Sequence, residues 1–87
     1  MIFIVEYDET IVREDIPKLP KSMRERVRKA IEQKLVSNPL KFGKPLRYSL
    51  YGARSLRVGD WRVIYRIELP NTVVIAKIGH RKEVYEG

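Results

Sequence analysis

The stretch Ser55-Leu-Arg-Val-Gly-Asp-Trp-Arg-Val-Ile-Tyr-Arg-Ile67 decides the fold of this chain. Apolar and polar residues alternate on both sides of Gly59-Asp60, a pair that is typical of the tight turn in a β-hairpin. Because alternate side chains of a strand point to opposite faces, the hairpin should bury one face and expose arginines on the other. The sequence therefore predicts an antiparallel sheet whose two faces differ in chemistry.

The elements on either side complete an α+β domain. We expect a first strand at Ile2–Val5, a helix from Asp8 or Thr10 to about Lys18, and a second helix from Pro20 or Ser22 to the stop at Asn38-Pro39. Further strands are predicted at Leu46–Leu50, Arg54–Val58, Trp61–Leu69 and Thr72–Gly79, with Pro70-Asn71 as the last turn. The order β-α-α-β-β-β-β predicts two helices on one face of a twisted, mainly antiparallel sheet, in a single domain over residues 1–87.

Regular alternation assigns the side chains of this sheet to two rows. The row beneath the helices should hold Leu56, Val58, Val63, Tyr65, Ile67, Val74, Ala76 and Ile78. The opposite row should hold Ser55, Arg57, Arg62, Ile64, Arg66, Lys77, Gly79 and Arg81. On the first helix, Val12, Ile16 and Leu19 should face inward.

Positive charge is concentrated in the strand-rich half. Lys41 to Arg81 contains nine Lys or Arg and two acidic residues, whereas Met1 to Leu40 contains eight and seven. The net charge of +7 and the pI near 9.9 favour a polyanionic partner, and nucleic acid is the default. We expect a soluble, cytoplasmic protein without membrane contact, since no apolar stretch approaches about 20 residues.

Several classes of site are excluded or disfavoured by composition. The chain has no cysteine, which excludes disulfides, cysteine metal sites and thiol nucleophiles. It has one histidine, and its acidic residues show no metal-ligand spacing. We therefore expect neither a metal nor a cofactor.

The Ser55–Ile67 stretch, read with Ile78-Gly-His-Arg-Lys-Glu-Val-Tyr85, resembles the RelE/ParE superfamily of small bacterial and archaeal toxins. The resemblance covers nearly the whole chain and implies a RelE-like fold and a type II toxin–antitoxin system. RelE-type members are ribosome-dependent endoribonucleases that cut mRNA in the ribosomal A site. ParE-type members inhibit DNA gyrase. The expected partners are a RelB-like antitoxin, mRNA and the ribosome.

The same resemblance implies a catalytic set. It places a catalytic arginine at Arg62, another at Arg81 and a tyrosine at Tyr85, and their presence favours the RelE branch. At Ala53 and Ser55 the chain departs from the family, whose members have ionisable side chains there. The identity of the general base is therefore open.

The chemistry of metal-free RNA cleavage is consistent with these residues. Fixed guanidiniums suit the charge on a phosphorane, a role we assign to Arg62 and Arg81 with Arg57 in support. Tyr85 is predicted as the base or as an orienting residue; His80 is an alternative base, although alternation places it away from Arg81. Further RNA contacts are predicted at Arg54, Arg57, Arg66, Lys77, Lys41 and Lys44, with Ser55 as a possible site residue.

Two groups of side chains receive a structural interpretation. Trp61 and Tyr65 are predicted as core aromatics rather than base-stacking platforms. The helix bases Arg24, Arg26, Arg28, Lys29 and Lys34 alternate with acids and are interpreted as a solvated face, with contact to ribosomal RNA as a secondary role. Two other functions stay open: a ParE-like gyrase inhibitor, and an RNA-binding toxin relic without catalysis.

Overall fold

The computed structural model describes residues 2–46 and 52–84, which form three helices packed on one face of a five-stranded sheet. Helix α1 begins with a π-helical turn at Ile11–Asp15 and continues as α-helix over Ile16–Lys18. Helix α2 is α-helical over Lys21–Ala30 and ends in a π-helical turn at Ile31–Leu35, and α3 covers Pro39–Phe42. The strands are β1 (Ile4–Tyr7), β2 (Lys44–Pro45), β3 (Arg54–Val58), β4 (Trp61–Glu68) and β5 (Thr72–His80).

The sheet has the order β1-β5-β4-β3-β2. Strand β1 runs parallel to β5, while the other neighbours are antiparallel. Gly59-Asp60 forms the turn between β3 and β4, and Gly59 takes a φ of 61°, a left-handed conformation that favours glycine. The predicted α+β architecture and its meander are confirmed.

Several predicted boundaries differ from the structure. Strand β1, predicted at Ile2–Val5, is observed two residues later, at Ile4–Tyr7. Helix α3 lies where a loop was expected; it begins at Pro39, whose fixed φ suits a first helical turn. The short strand β2 at Lys44–Pro45 was not predicted, and of the strand predicted at Leu46–Leu50 the structure describes only Leu46, which follows β2. Residues 47–51 lie outside the described residues.

Strand β5 contains a bulge at Ala76. Ile64 pairs with Lys77 and Tyr65 pairs with Ile75, so Ala76 has no partner on β4. The prediction that Ala76 lies beneath the helices is wrong, because one inserted residue breaks regular alternation. Ala76 is exposed.

The bulge also reverses the faces of the residues that precede it. Val73 and Ile75 are completely buried in the core, whereas Val74, predicted beneath the helices, pairs with Arg66 on the opposite face. We call the side of the sheet that packs against the helices the helix face. Its core cluster consists of Ile11, Leu19, Val27, Ile31, Leu35, Leu56, Val58, Val63, Tyr65, Val73, Ile75 and Ile78.

Helix α1 presents a different side to the core than the sequence predicted. Ile11 and Asp15 are buried, whereas the side of the helix that carries Val12 is open and Val12 is 56% exposed. The π-helical turn widens the helical period, so residues at steps of four, Ile11, Asp15 and Leu19, line the inner side. The inward assignment of Val12 is therefore wrong.

Asp15 closes the edge of β5 beyond the end of β1. Its Oδ2 accepts a hydrogen bond from the Ile78 N–H at 2.9 Å, and its Oδ1 lies 3.1 Å from Lys77 Nζ. Strand β1 ends at Tyr7 opposite Ile75, so the edge N–H groups that follow on β5 need another acceptor. The buried carboxylate provides it.

Tyr65 and Arg54 fix α3 and the following loop against the helix face. The Tyr65 hydroxyl donates to the Pro39 carbonyl at 2.5 Å, and Arg54 Nη2 donates to the Leu40 carbonyl at 2.8 Å and to the Gly43 carbonyl at 2.6 Å. A Cβ on Gly43 would lie 1.8 Å from the Tyr65 hydroxyl oxygen, so only glycine fits. Burial raises the pKa of the Tyr65 phenol, and the hydrogen bond and charge of Arg54 partly offset that rise.

Candidate functional site

The face of the sheet opposite the helices, called here the arginine face, has its cations concentrated beside the Gly59-Asp60 turn. Arg57 on β3 pairs with Arg62 on β4, which pairs with Gly79 on β5. Residues paired across strands lie about 5 Å apart and share a face. Arg81 follows the end of β5, and its N–H donates to the Asp60 carbonyl at 2.8 Å. Arginines from three chain segments therefore meet at one turn.

The three guanidiniums are bound to the turn itself. Arg62 Nη1 donates to the carbonyls of Gly59 at 3.1 Å and Trp61 at 3.0 Å, and Arg57 Nε donates to the Gly59 carbonyl at 3.5 Å. Arg81 Nε lies 3.6 Å from Asp60 Oδ1, in an ion pair whose side chains are 58% and 64% exposed. An exposed ion pair is weak, so a phosphate that offers charge-assisted, bidentate hydrogen bonds can replace Asp60.

An apolar cluster lies beside these arginines and covers the middle of the arginine face. It consists of Leu46, Ala53, Ile64 and Val84. Val84 reaches the sheet through a turn in which the N–H groups of Glu83 and Val84 donate to the His80 carbonyl at 2.8 and 3.1 Å. The arginine face is thus a cationic rim around an apolar floor, rather than the wholly exposed cationic surface that alternation predicts.

Gly79 makes this covering possible. A Cβ on Gly79 would lie 2.7 Å from Val84 Cγ2, closer than real Cβ contacts come. Since Gly79 also pairs with Arg62, one glycine joins the apolar floor to the arginines.

The remaining predicted cations divide between two places. Lys44 pairs with Ser55 and Arg66 pairs with Val74, which places both exposed cations on the arginine face. Arg66 follows Arg62 by four residues, about 13 Å along a strand. Lys77 belongs to the same face by register, but its ammonium group is held at the sheet edge by Asp15.

The structure separates Arg54 and Lys41 from the arginine face, contrary to their assignment to one RNA surface. Arg54 pairs with Tyr65 on the helix face, where it bonds to loop carbonyls. Lys41 lies in α3 with its ammonium group 5.6 Å from the centre of the Phe42 ring. Arg54 precedes Ser55 on β3, so regular alternation along the strand also assigns it to the helix face.

The two positions at which the sequence departs from the resemblance, Ala53 and Ser55, are buried. Ala53 is 2% and Ser55 is 4% exposed, and the Ser55 hydroxyl has no hydrogen-bond partner among the residues that the structure describes. Ser55 lies on the arginine face next to Arg57 on its strand but beneath neighbouring side chains, so it is poorly placed to meet a substrate.

The aromatic predictions are confirmed where the structure describes them. Tyr65 is fully buried, and Trp61 packs against the core with its ring 5.4 Å from the ring of His80 in an edge-to-face contact. His80 pairs with Trp61 on the helix face, away from the arginines, and its Nδ1 accepts the Lys82 N–H at 3.2 Å. Tyr85, the predicted base, lies outside the described residues.

A second surface lies between α1 and α2, on the other side of the molecule from the arginine face. This apolar groove of about 430 Å³ is lined by Tyr7, Val12, Ile16, Val27, Ile31 and Ile78, with Arg24, Glu25, Arg28 and Glu32 along its wall. Burial and the charge of Glu32 raise the pKa of the Tyr7 phenol, which Arg28 partly offsets. Val12 is the sequence signal for this groove. Helical periodicity assigned it to the core, whereas in the structure it lines the groove and is exposed.

The described residues contain no group of three or more His, Cys, Asp or Glu side chains placed to hold a metal ion. None of the helices in residues 2–46 and 52–84 has the length and apolar character needed to cross a membrane. Among the described residues, the candidate site presents the guanidiniums of Arg57, Arg62 and Arg81 beside an apolar floor.

Comparisons with known proteins identify the family to which this chain belongs. A family model described as the ParE toxin of type II toxin–antitoxin system, parDE, matches residues 4–85. The chain belongs to the ParE toxin family. Its curated relatives include toxin RelG of Mycobacterium tuberculosis, which is 40% identical over 77 residues, 87% of this chain and 88% of RelG.

Solved structures agree with this assignment to the toxin family. The crystal structure of the toxin–antitoxin complex RelBE2 from Mycobacterium tuberculosis is similar to this chain with a TM-score of 0.85 and 38% identity, over 93% of each chain. The RelB-RelE antitoxin–toxin complex from Methanococcus jannaschii matches with a TM-score of 0.70 and 25% identity, over 92% of this chain and 94% of the other. The ParE-family chain is thus a toxin of the RelBE type, and the resemblance found in its sequence is confirmed.

Proposed function

We propose that this toxin is an endoribonuclease that cuts mRNA on the ribosome by attack of the ribose 2′-hydroxyl on the adjacent phosphate. The observation that carries the proposal is the cross-strand pair Arg57–Arg62, with Arg81 brought to the same turn. Guanidiniums are always charged and donate forked hydrogen bonds that match phosphate oxygens. The RelE and RelG names of the relatives support the ribosome-dependent branch of the superfamily.

In this reaction the 2′-oxygen forms a bond to phosphorus while the bond from phosphorus to the 5′-oxygen breaks, which leaves a 2′,3′-cyclic phosphate. Arg62 and Arg81 stabilise the extra negative charge of the phosphorane, and Arg57 supports them. The 2′-proton passes to a base and the 5′-oxygen gains a proton. We assign the base to Tyr85, since His80 lies on the opposite face with its ring against Trp61.

The ribosome contributes what the site lacks. Ala53 and Ser55 supply no base in addition to Tyr85, so catalysis depends mainly on charge stabilisation and on the alignment of the 2′-hydroxyl with the departing oxygen. Alignment of reacting groups is worth up to roughly 7–11 kcal/mol. An enzyme of this kind gains most from a large partner that holds mRNA in an in-line geometry.

The decisive experiment is primer extension on mRNA from a translation extract exposed to the wild-type protein, Arg62→Ala, Arg81→Ala or Arg13→Ala. The wild type should give cuts in phase with ribosome position, and the Arg62 and Arg81 variants should cut about 10²–10³-fold more slowly. Arg13→Ala is the matched control, since Arg13 is an exposed arginine that pairs with Glu9 on α1. Full activity in both site variants would contradict the assignment.

Assays of DNA damage in cells and of RNA binding, run beside primer extension, separate the two other functions. DNA damage with intact mRNA would identify a gyrase inhibitor, as the ParE name of the family suggests. Salt-sensitive RNA binding without cuts, with or without ribosomes, would identify a relic that has lost its base, as Ala53 and Ser55 suggest.

An antitoxin is the proposed protein partner, supported by the antitoxin–toxin complexes among the structural neighbours. The apolar groove can accept one face of an amphipathic helix, and the surplus of positive charge on the chain favours an acidic one. Val12→Glu places a charge at the groove and should weaken neutralisation by the co-expressed antitoxin. Leu69→Glu, at an apolar residue that is 88% exposed and lies outside the groove, should leave neutralisation unchanged. If the antitoxin restored growth equally with both variants, this docking site would be excluded.

A further inference from the structure

Helix α2 has two flanks that differ in charge, although its bases and acids alternate in sequence. On the flank that lines the apolar groove, Arg28 bonds to Glu25 and to Glu32, the latter at 3.0 Å. The Arg28 guanidinium holds the pKa of the Glu25 carboxyl below its ordinary value. Charge on this flank is therefore neutralised in place.

The other flank carries bases without acids. Arg26, Lys29 and Lys34 line a basic groove of about 280 Å³ between α2 and the β3–β4 turn, which is also lined by Gln33, Arg57 and Gly59. Of the described residues that line this groove, none is acidic, and none of its three helix cations forms a salt bridge with a described residue. The predicted solvated face of α2 is exposed at Arg26 and Lys29, and the structure adds that its acids lie on one flank only.

The basic groove is continuous with the candidate active site through Gly59. The Arg26 guanidinium nitrogens lie 3.5 Å from the position of a Cβ on Gly59, on the helix side of the turn. On the sheet side, Arg57 and Arg62 donate to the Gly59 carbonyl. Arg57 therefore belongs to both surfaces, and cations extend from the arginine face past Gly59 to α2, while Asp60, the acid of this turn, lies in the ion pair with Arg81.

We propose that the basic groove binds the phosphate backbone of RNA at a site separate from the phosphate that is cut. This inference rests on the proposed function, because it extends the proposed RNA-binding surface from the arginine face to the basic flank of α2. The RNA could be mRNA beyond the cut or ribosomal RNA. Both sources present the same chain of phosphates, and the experiment below distinguishes them.

The lining of the groove favours RNA over an acidic peptide. A peptide helix binds through apolar anchors at regular spacing. The apolar groove offers such a surface, whereas among the described residues that line the basic groove the apolar side chains are Ala30 and Val58. Phosphates need no apolar anchor, and lysine and arginine at short intervals along a groove are the usual means of following a backbone.

The test measures the salt dependence of RNA binding by the full chain and by a triple variant, Arg26→Gln, Lys29→Gln and Lys34→Gln. The probes are a short RNA with a 2′-O-methyl group at the scissile ribose, the same RNA extended on both sides, and ribosomes that carry this modified mRNA. The slope of log K against log salt is negative, and each contact to a single strand contributes about 0.7 to its magnitude. Loss of three phosphate contacts should therefore make the slope shallower by about 2. Between 50 and 200 mM salt this corresponds to roughly 15–20-fold in the ratio of affinities.

The matched control removes three exposed cations outside the groove, two on α1 and one at the start of α2: Arg13→Gln, Lys18→Gln and Lys21→Gln. Both triple variants lower the net charge equally, so the difference between them isolates the groove from long-range attraction. Far-ultraviolet circular dichroism and thermal melting check that both remain folded.

Two outcomes support the proposal and locate the RNA. A shallower slope for the groove variant that appears only with the extended RNA identifies mRNA as the ligand. A shallower slope that appears only with ribosomes identifies ribosomal RNA. Equal slopes for the groove variant and the control would overturn the proposal, as would stronger competition at the groove by a glutamate peptide than by RNA of equal charge. Because the probes are not cut, these results are independent of whether the wild type cleaves mRNA.

Discussion

The two faces of one sheet differ in what they bury and in what they expose. On the helix face, Val63, Tyr65, Val73 and Ile75 have no exposed surface and belong to a continuous core. On the arginine face, a small cluster that includes Ile64 and Val84 lies beside cations that reach solvent. The comparison shows how a short chain separates stability from chemistry: the same strands serve both, and the direction of each side chain decides which.

The largest expected effect comes from truncating one isoleucine on each face. Ile75→Ala, on the helix face, should lower the free energy of unfolding by about 2–5 kcal/mol, because it leaves a cavity in the main core. Ile64→Ala, in the small cluster, should cost toward the lower end of that range, about 2 kcal/mol, yet reduce RNA cleavage more. Urea unfolding measures the free energy of unfolding, and cleavage rates are measured under conditions in which both variants are folded. Equal losses of stability and equal losses of cleavage in the two variants would contradict the contrast between the faces.

A second pair of variants compares the glycines over which side chains pack. Gly43→Ala would collide with the buried Tyr65 hydroxyl, and Gly79→Ala with Val84. Displacing a side chain from a packed site costs roughly 1–3 kcal/mol. We expect Gly43→Ala to lower the melting temperature more, since Tyr65 is fully buried, and Gly79→Ala to lower cleavage more, since Gly79 pairs with Arg62. The reverse order would show that the Val84 turn serves stability rather than the site.

The smallest expected effect is a pH dependence of stability that comes from Tyr65 on the helix face. Burial raises the pKa of Tyr65 above its ordinary value of 10.0. A raised pKa in the folded state means that this stabilisation is complete below pH 10.0 and is lost as the pH rises through the raised value. Tyr65→Phe should cost roughly 0.5–1.5 kcal/mol near neutrality, because the bond to the Pro39 carbonyl is lost, and should flatten the alkaline fall.

Denaturant titrations at neutral and alkaline pH measure this difference. Tyr7→Phe serves as a comparison, since the pKa of Tyr7 is also raised but its ring lines the apolar groove rather than the core. An alkaline fall of stability that is as steep in Tyr65→Phe as in the wild type would show that Tyr65 does not titrate with unfolding.

Much of the site could be predicted from sequence because it depends on neighbours along the chain. Arg57 and Arg62 flank a two-residue turn, and a hairpin register follows directly from such a turn. Arg81 lies two residues beyond Gly79, so its approach to the same turn follows once β5 pairs with β4. The hydrogen-bond partners of Arg54 and Lys77 could not be predicted, because they are far away in the sequence. Arg54 bonds to the carbonyls of Leu40 and Gly43, and Lys77 bonds to Asp15.

By itself, then, the sequence determined the alternation that divides apolar from cationic side chains, the turns at Gly59-Asp60 and Pro70-Asn71, and membership of the toxin family. Only the tertiary structure decided the bulge at Ala76, the parallel pairing of β1 with β5, and the division of α2 into a neutral and a basic flank. The physical reason is the range of the interactions. Periodicity and turns are local, whereas an edge that needs an acceptor, or a helix that lies between two grooves, is defined by residues far apart in the chain.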